Sequence, residues 1–305
     1  MIEAMAQTGL NGRIVRSLSG FYYVETPDGT VYECRAKGAF RKRGVTPVTG
    51  DTVCFSPERG LGMITDVLPR KNVFDRPPVS NVDVLFIVAS VDRPRPNLFV
   101  LDKLTAFARY RGVEPVLVFS KCDLADPSPY LDIYGKTGLR AFACSAETGE
   151  GADRFAEFAG ERLCAFTGNS GVGKSSLINA LIPGLSLQVN EISDKLGRGR
   201  HTTRSVSLYP FAGGYLADTP GFSSFEFENG KEFIPPAALA ACFPEFGPFT
   251  DACRFSPSCR HLSDRGCAVA AAAEEGAIAA SRYESYRRMY DAFAAVTPWA
   301  EKSKK

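Results

Sequence analysis

Gly168-Asn169-Ser170-Gly171-Val172-Gly173-Lys174-Ser175 fits the pattern G-x-x-x-x-G-K-[ST]. It follows a strand-like apolar run, Leu163 to Thr167, and precedes a helical pattern in Ser176, Leu177, Asn179 and Leu181. Strand, glycine-rich turn and helix in that order make a phosphate loop. The glycines let backbone N–H groups turn inward on an anion, and the helix N-terminus adds its partial positive charge. Gly168 to Ser176 is therefore the predicted phosphate-binding segment. Lys174 is placed to reach the β- and γ-phosphates of a nucleoside triphosphate, and the Ser175 hydroxyl to bind Mg²⁺.

A phosphate loop does not choose the base. Ser120-Lys121-Cys122-Asp123 follows the strand-like run Val113 to Phe119. A carboxylate at Asp123 accepts from guanine N1–H and the 2-amino group, a donor pair that adenine lacks. The Lys121 stem can lie over the ring. Ser145-Ala146 follows another such run, Leu139 to Ala143, and can present a backbone N–H to guanine O6. Asp218-Thr219-Pro220-Gly221 has the form D-x-x-G after a strand. Asp218 there can hold a water on Mg²⁺, and the Gly221 amide can meet the γ-phosphate. Singly, each pattern is weak. Together they resemble the translation-factor class of GTPases, but with base recognition ahead of the phosphate loop. The resemblance is to a circularly permuted GTPase, an arrangement that chemistry tolerates because termini often lie close together.

Gly197-Arg198-Gly199-Arg200-His201-Thr202-Thr203 lies where a first switch belongs. Either Thr202 or Thr203 would coordinate Mg²⁺, with Thr203 preferred. The residue after Gly221 is Phe222, which cannot orient water as the Gln of Ras-like enzymes does. Slow intrinsic hydrolysis follows, with help from elsewhere. His201 is one of only two histidines and sits in the switch, so it is the candidate for orienting water. The alternative is that it binds phosphate or RNA.

The first 71 residues read as all-β. Arg13 to Leu18, Phe21 to Thr26, Val31 to Arg35 and Asp51 to Phe55 are β-branched or aromatic runs separated by Ser19-Gly20, Asp28-Gly29 and Thr49-Gly50. Five short strands in this length suit an OB-fold barrel. Arg35, Lys37, Arg41, Lys42 and Arg43 crowd into nine residues, as a solvated loop or as phosphate-facing cations for RNA. From residue 72 to 228 strands alternate with helical patterns, including Leu98, Leu101, Leu104 and Ala108, which implies a parallel α/β sheet. Residues 229–305 form a third region, with a helical pattern from Ala268 to Phe293 running through Gly276.

Cys253-x5-Cys259-x-His261-x5-Cys267 supplies three thiolates and an imidazole, a closed tetrahedral set suited to one structural zinc. Cys242 is the spare candidate. Arg254, Arg260, Arg265, Arg282, Arg287 and Arg288 gather in the same region and favour RNA. Tyr283, Tyr286 and Tyr290, at helical spacing, are expected to pack against the cysteine cluster rather than to stack on bases.

Lys and Arg number 36 against 34 Asp and Glu, for a net charge of +2, so a protein that coats polyanions wholesale is excluded. No apolar run approaches the ~20 residues of a membrane span. The odd count of nine cysteines, without a secretory start, points to a reducing cytoplasmic compartment.

The reversed order, G-N-S-G-V-G-K-S-S-L, G-R-G-R-H-T-T, D-T-P-G-F and the Cys/His cluster together resemble the RsgA/YjeQ small ribosomal subunit biogenesis GTPases. The resemblance covers nearly the whole chain. It implies a multidomain architecture: an all-β OB-fold barrel, an α/β P-loop GTPase domain and a zinc-binding, mostly helical C-terminal domain. It implies hydrolysis of GTP to GDP stimulated by the small subunit and its rRNA, catalysis through His201 with Lys174 and Gly221, and a monomer that needs no membrane. The alternatives are a GTP-gated zinc- and RNA-binding clamp with negligible turnover, and an ATPase or nucleotide kinase. One departure is Ser120, where the family usually has Asn or Thr. Asn would tie the base loop to the phosphate loop, so weaker nucleotide affinity is expected here.

Overall fold

The computed structural model describes residues 9–38, 40, 44–57, 60–75, 77–182, 184–185, 206–218, 233–262 and 265–295. The chain divides into two compact units. One comprises Met1–Val84, Ala159–Phe166 and Ser193–Ser223; the other comprises Leu85–Phe158, Thr167–Ile192 and Ser224–Lys305.

The first unit is built on a closed five-stranded barrel. Its strands are β1 (Leu10–Leu18), β2 (Phe21–Glu25), β3 (Val31–Ala36), β4 (Thr52–Ser56) and β5 (Gly62–Val67). They run in the order β1-β2-β3-β5-β4, and β4 returns to pair with β1, Leu10 against Phe55 through Arg13 against Thr52. Alternate inward side chains fill the barrel: Ile14, Val24, Cys34, Val53, Phe55 and Ile64 are all fully buried. Ser19 and Gly20 both take positive φ, 49° and 84°, the backbone of a tight turn whose twist matches its strands. The fifth strand, Gly62–Val67, has no clear sequence signature, because a glycine and an exposed Asp66 blur its alternation.

A short hairpin, β6 (Val73–Asp75) with β7 (Pro78–Ser80), follows the barrel. The buried Asp51 carboxylate is held there by Arg70 Nε at 2.7 Å and by the Ser80 hydroxyl at 2.6 Å. The same unit holds β11 (Leu163–Thr167), β12 (Ser207–Phe211) and β13 (Gly214–Asp218). β12 and β13 are antiparallel, turned at Ala212 and Gly213 with φ of 52° and 81°. β11 and β13 are parallel.

In the second unit β8 (Val84–Ser90), β9 (Glu114–Ser120) and β10 (Arg140–Cys144) lie in the order β10-β9-β8, and β9 and β10 are parallel. Every residue of β8 is buried, as a strand covered on both faces requires. The longer helices among the described residues are α1 (Leu98–Tyr110), α2 (Ser128–Gly135), α3 (Ala152–Ala159), α4 (Lys174–Leu181), α5 (Ala268–Glu274) and α6 (Ala280–Ala294).

The single helical pattern expected from Ala268 to Phe293 is two helices. Gly276, at φ 78°, breaks it in the left-handed conformation that glycine adopts freely, and Lys136 Nζ binds its carbonyl at 2.9 Å. α6 carries Arg282 into a wholly buried site rather than toward solvent. Its Nη1 donates to Asp102 Oδ1 on α1 at 2.7 Å, and its Nε to Glu245 Oε1 at 2.7 Å. Arg282 is therefore withdrawn from the RNA-facing set. Nearer the end of α6, the Arg288 guanidinium lies 3.9 Å from the Phe99 ring centroid on α1.

Candidate functional site

The phosphate loop joins β11 to α4. Gly168 takes φ 147° and is buried against β8; a Cβ there would strike the Val88 carbonyl oxygen, so no other residue fits. Gly173, at φ 90°, is the N-cap of α4, and Lys174, Ser175 and Ser176 form its first turn. Lys174 Nζ folds over the loop onto the carbonyls of Gly168, at 2.6 Å, and Asn169, at 2.7 Å. Burial pulls the Lys174 pKa down to about 8. A cation so placed is short of anionic partners, which a polyphosphate supplies.

The Ser120–Asp123 loop, the predicted base reader, comes to rest on this phosphate loop although it lies some fifty residues earlier in the chain. The buried Ser120 hydroxyl donates to the Val172 carbonyl at 2.6 Å. Lys121, at φ 62°, sends its ammonium to Gly171 O at 2.9 Å and to Arg93 O at 2.6 Å. The tie expected from an Asn at position 120 is thus made by serine, which removes that ground for weakened affinity. Replacing Ser120 with Ala leaves a buried carbonyl unpaired, at a cost of about 1–3 kcal/mol. We expect GDP affinity to fall by about 5-fold to at most about 150-fold in a titration of this variant, with ATP discrimination retained.

The loops after β9 and β10 are also joined to each other. Cys122 N donates to Cys144 O at 3.2 Å. Burial raises the Cys122 thiol to about 11, with Glu150 adding to the effect through its charge and a hydrogen bond. Burial likewise raises Cys144 to about 12, so both stay protonated. Ser145 is buried and organises its turn: its hydroxyl accepts from Glu147 N and Thr148 N, each at 3.2 Å. Ala146 is half-buried and Asp123 is exposed, open to a ligand. No motif marks Gly151, where a Cβ would collide with the Ala143 carbonyl.

Asp218 ends β13, and burial raises its pKa. His201, Thr203 and Gly221 lie outside the described residues, as do Arg41, Lys42 and Arg43. Arg35, on the outer side of β3, lies over Phe21 at 4.6 Å from the ring centroid.

The ligand atoms of Cys253, Cys259, His261 and Cys267 lie within 4.8 Å of one another. Cys253 Sγ is 3.4 Å from His261 Nδ1 and 3.9 Å from Cys267 Sγ, and Cys267 Sγ is 3.8 Å from the same nitrogen. Around a tetrahedral zinc with Zn–S near 2.3 Å, sulfurs stand about 3.8 Å apart, so the donor set fits that ion. Cys242 is elsewhere: buried, its thiol donates to Ala238 O at 3.5 Å. Tyr286 and Tyr283 pack as expected, their hydroxyls on Arg260 O at 2.6 Å and Leu262 O at 3.2 Å.

A family model described as RsgA GTPase matches residues 67–228, and one described as RsgA N-terminal domain matches residues 11–64. The curated small ribosomal subunit biogenesis GTPase RsgA of Caldanaerobacter subterraneus is 44% identical over 283 residues, 91% of this chain and 93% of that protein. The chain belongs to the RsgA family of GTPases. The permuted order of an RsgA protein is thereby explained. The crystal structure of YloQ, titled a circularly permuted GTPase, aligns with TM-score 0.79 at 28% identity over 97% of this chain and 99% of that one. YjeQ from Thermotoga maritima aligns with TM-score 0.80 at 34% identity over 95% of this chain and all of that one. Like other RsgA chains, this one is a GTP hydrolase by family. Among the described residues, no helix is long and apolar enough to cross a membrane.

Proposed function

We propose that this GTPase acts on the small ribosomal subunit late in its maturation, binding with GTP and leaving after the subunit stimulates hydrolysis. The observation that carries the reading is the pair of ties from a guanine-type loop onto a phosphate loop, Ser120 to Val172 and Lys121 to Gly171. The names of the relatives supply the partner. Within the pocket, Asp123 and the Ala146 amide select guanine, with Ser120, Cys122 and Ser145 shaping the wall. Gly168 to Ser176 hold the phosphates, and Lys174 neutralises their charge. Ser175, Thr203 and Asp218 are the residues that would hold Mg²⁺, which when bound screens the phosphate oxygens. His201 orients water and Gly221 meets the γ-phosphate.

The chain works as three lobes: a barrel at 1–71 that meets rRNA through Arg35, Lys37, Arg41, Lys42 and Arg43, a GTPase domain at 72–228, and a zinc lobe at 229–305. It does so as a cytoplasmic monomer. Phosphate release measured with and without small subunits, using GTP and then ATP, tests this. Subunit-stimulated release from GTP alone is expected; equal rates with and without subunits defeat it.

Zinc in the Cys253, Cys259, His261 and Cys267 set would link the loop before α5 to the helix itself, since Cys267 is also its N-cap. Elemental analysis of wild-type protein should find about one zinc per chain, and of Cys267→Ser much less, with a lower melting temperature. Zinc content unchanged in the variant would move the ion elsewhere.

A further inference from the structure

The loop between β8 and α1, Asp92 to Asn97, is fastened to the phosphate loop yet carries a side chain that no other described residue holds. Lys121 Nζ binds Arg93 O and Gly171 O together, so one cation pins both loops. The Ser90 hydroxyl accepts from Asp92 N at 3.3 Å, and the Asn97 side chain caps α1 at Val100 N, 3.3 Å away. Pro94 and Pro96 flank Arg95, which limits the backbone on both sides. The Pro94 ring backs onto Gly171, its Cδ 3.7 Å from where a Cβ would stand. Ser90, Arg95, Asn97, Gly168 and Asn169 line one cleft. Arg95 is exposed there, and among the described residues its guanidinium makes no hydrogen bond or ion pair.

We propose that Arg95 is a catalytic residue supplied in cis, its guanidinium donating to the phosphoryl oxygens during GTP hydrolysis. This rests on the reading that the adjacent loop turns GTP over. In that reaction a water oxygen bonds to the γ-phosphorus and the bond from that phosphorus to the β–γ bridging oxygen breaks. The electron pair stays on the bridging oxygen as GDP leaves, and inorganic phosphate takes up the water's hydroxyl while its second proton goes to solvent. Negative charge grows on the bridging and γ-oxygens along this path. A planar guanidinium remains charged at every working pH and donates through a fixed fork that fits phosphate. Phe222 offers no hydrogen bond to the water, so stabilising the departing charge carries more of the rate.

The test uses the full chain with Mg²⁺ and GTP, comparing wild type, Arg95→Ala and Arg95→Lys. Single-turnover hydrolysis is measured at saturating protein, with and without small subunits, and GDP affinity is measured separately. Arg95→Ala should hydrolyse about 100-fold more slowly, the loss expected for one preorganised donor to developing charge. Its GDP affinity should change by less than about 3-fold. Arg95→Lys should recover only part of the rate, since an ammonium keeps the charge and loses the fork. A wild-type rate in Arg95→Ala overturns the proposal, and so does a defect wholly in nucleotide affinity at an unchanged saturated rate. Wild-type protein that releases no phosphate at all overturns the GTPase reading along with it, which separates the two failures.

Discussion

Arg282→Ala should lower stability by roughly 3–5 kcal/mol, the usual result of removing one partner from a buried ion network. Arg282 is fully buried between two carboxylates, and Asp102 is as enclosed as it is. Its Nη1 also meets Thr105 Oγ1 at 3.2 Å, and the Tyr134 hydroxyl donates to Asp102 Oδ1 at 2.8 Å. The guanidinium carbon lies 4.5 Å from the centroid of Phe243. Burial disfavours the Arg282 cation, but Asp102 and Glu245 outweigh it and hold the guanidinium more firmly protonated than usual. Alanine leaves Asp102 and Glu245 facing each other without a cation, and Asp102 Oδ2 already has no hydrogen-bond partner among the described residues. Denaturant unfolding measures the loss. A triple replacement of Asp102, Glu245 and Arg282 by apolar residues of similar size should recover most of it, because no charge is then stranded. A single alanine variant that unfolds at the wild-type midpoint shows the network to be idle.

Asp123→Asn should weaken GTP binding by at least about 100-fold and create binding of xanthosine triphosphate. Guanine offers Asp123 two donors, N1–H and the 2-amino group, and each hydrogen bond to a charged acceptor contributes about 1.5–3 kcal/mol. Asparagine keeps the shape but turns one acceptor into a donor, which meets the guanine amino group with the wrong polarity. Xanthine carries a carbonyl at that position, so the asparagine amide can donate to it while its oxygen accepts N1–H. The surrounding contacts of Ser120 and Lys121 use a hydroxyl and an ammonium that this change leaves intact. Competition of both triphosphates against a fluorescent nucleotide reads the switch. Equal loss of both would mean that Asp123 supports the loop rather than reads the base.

Features governed by local chemistry were legible in the sequence. The strand, glycine-rich turn and helix around Gly168 and the four clustered cysteine and histidine ligands each depend on residues close in the chain, and the structure forms both. Convergence of the base and phosphate loops was legible too, because a guanine pocket demands it. What escaped depends on distance in three dimensions. Arg282 looks like any surface cation on a helix until Asp102 and Glu245 are brought to it from far along the chain. The Ser120 hydroxyl replaces an amide only because Val172 O lies 2.6 Å away. α2 and α3 were missed because each is eight residues long, too short for a clear period. The break at Gly276 is hidden in the sequence because alanines on one side and a strong helix on the other mask it.

The return of β4 to β1 has a bearing on how this chain meets other molecules. Among the described residues, closure of the ring leaves few bare amides and carbonyls for a foreign strand to extend. What docks on the outside of the barrel then meets side chains more than backbone, and a grip of that kind can be let go.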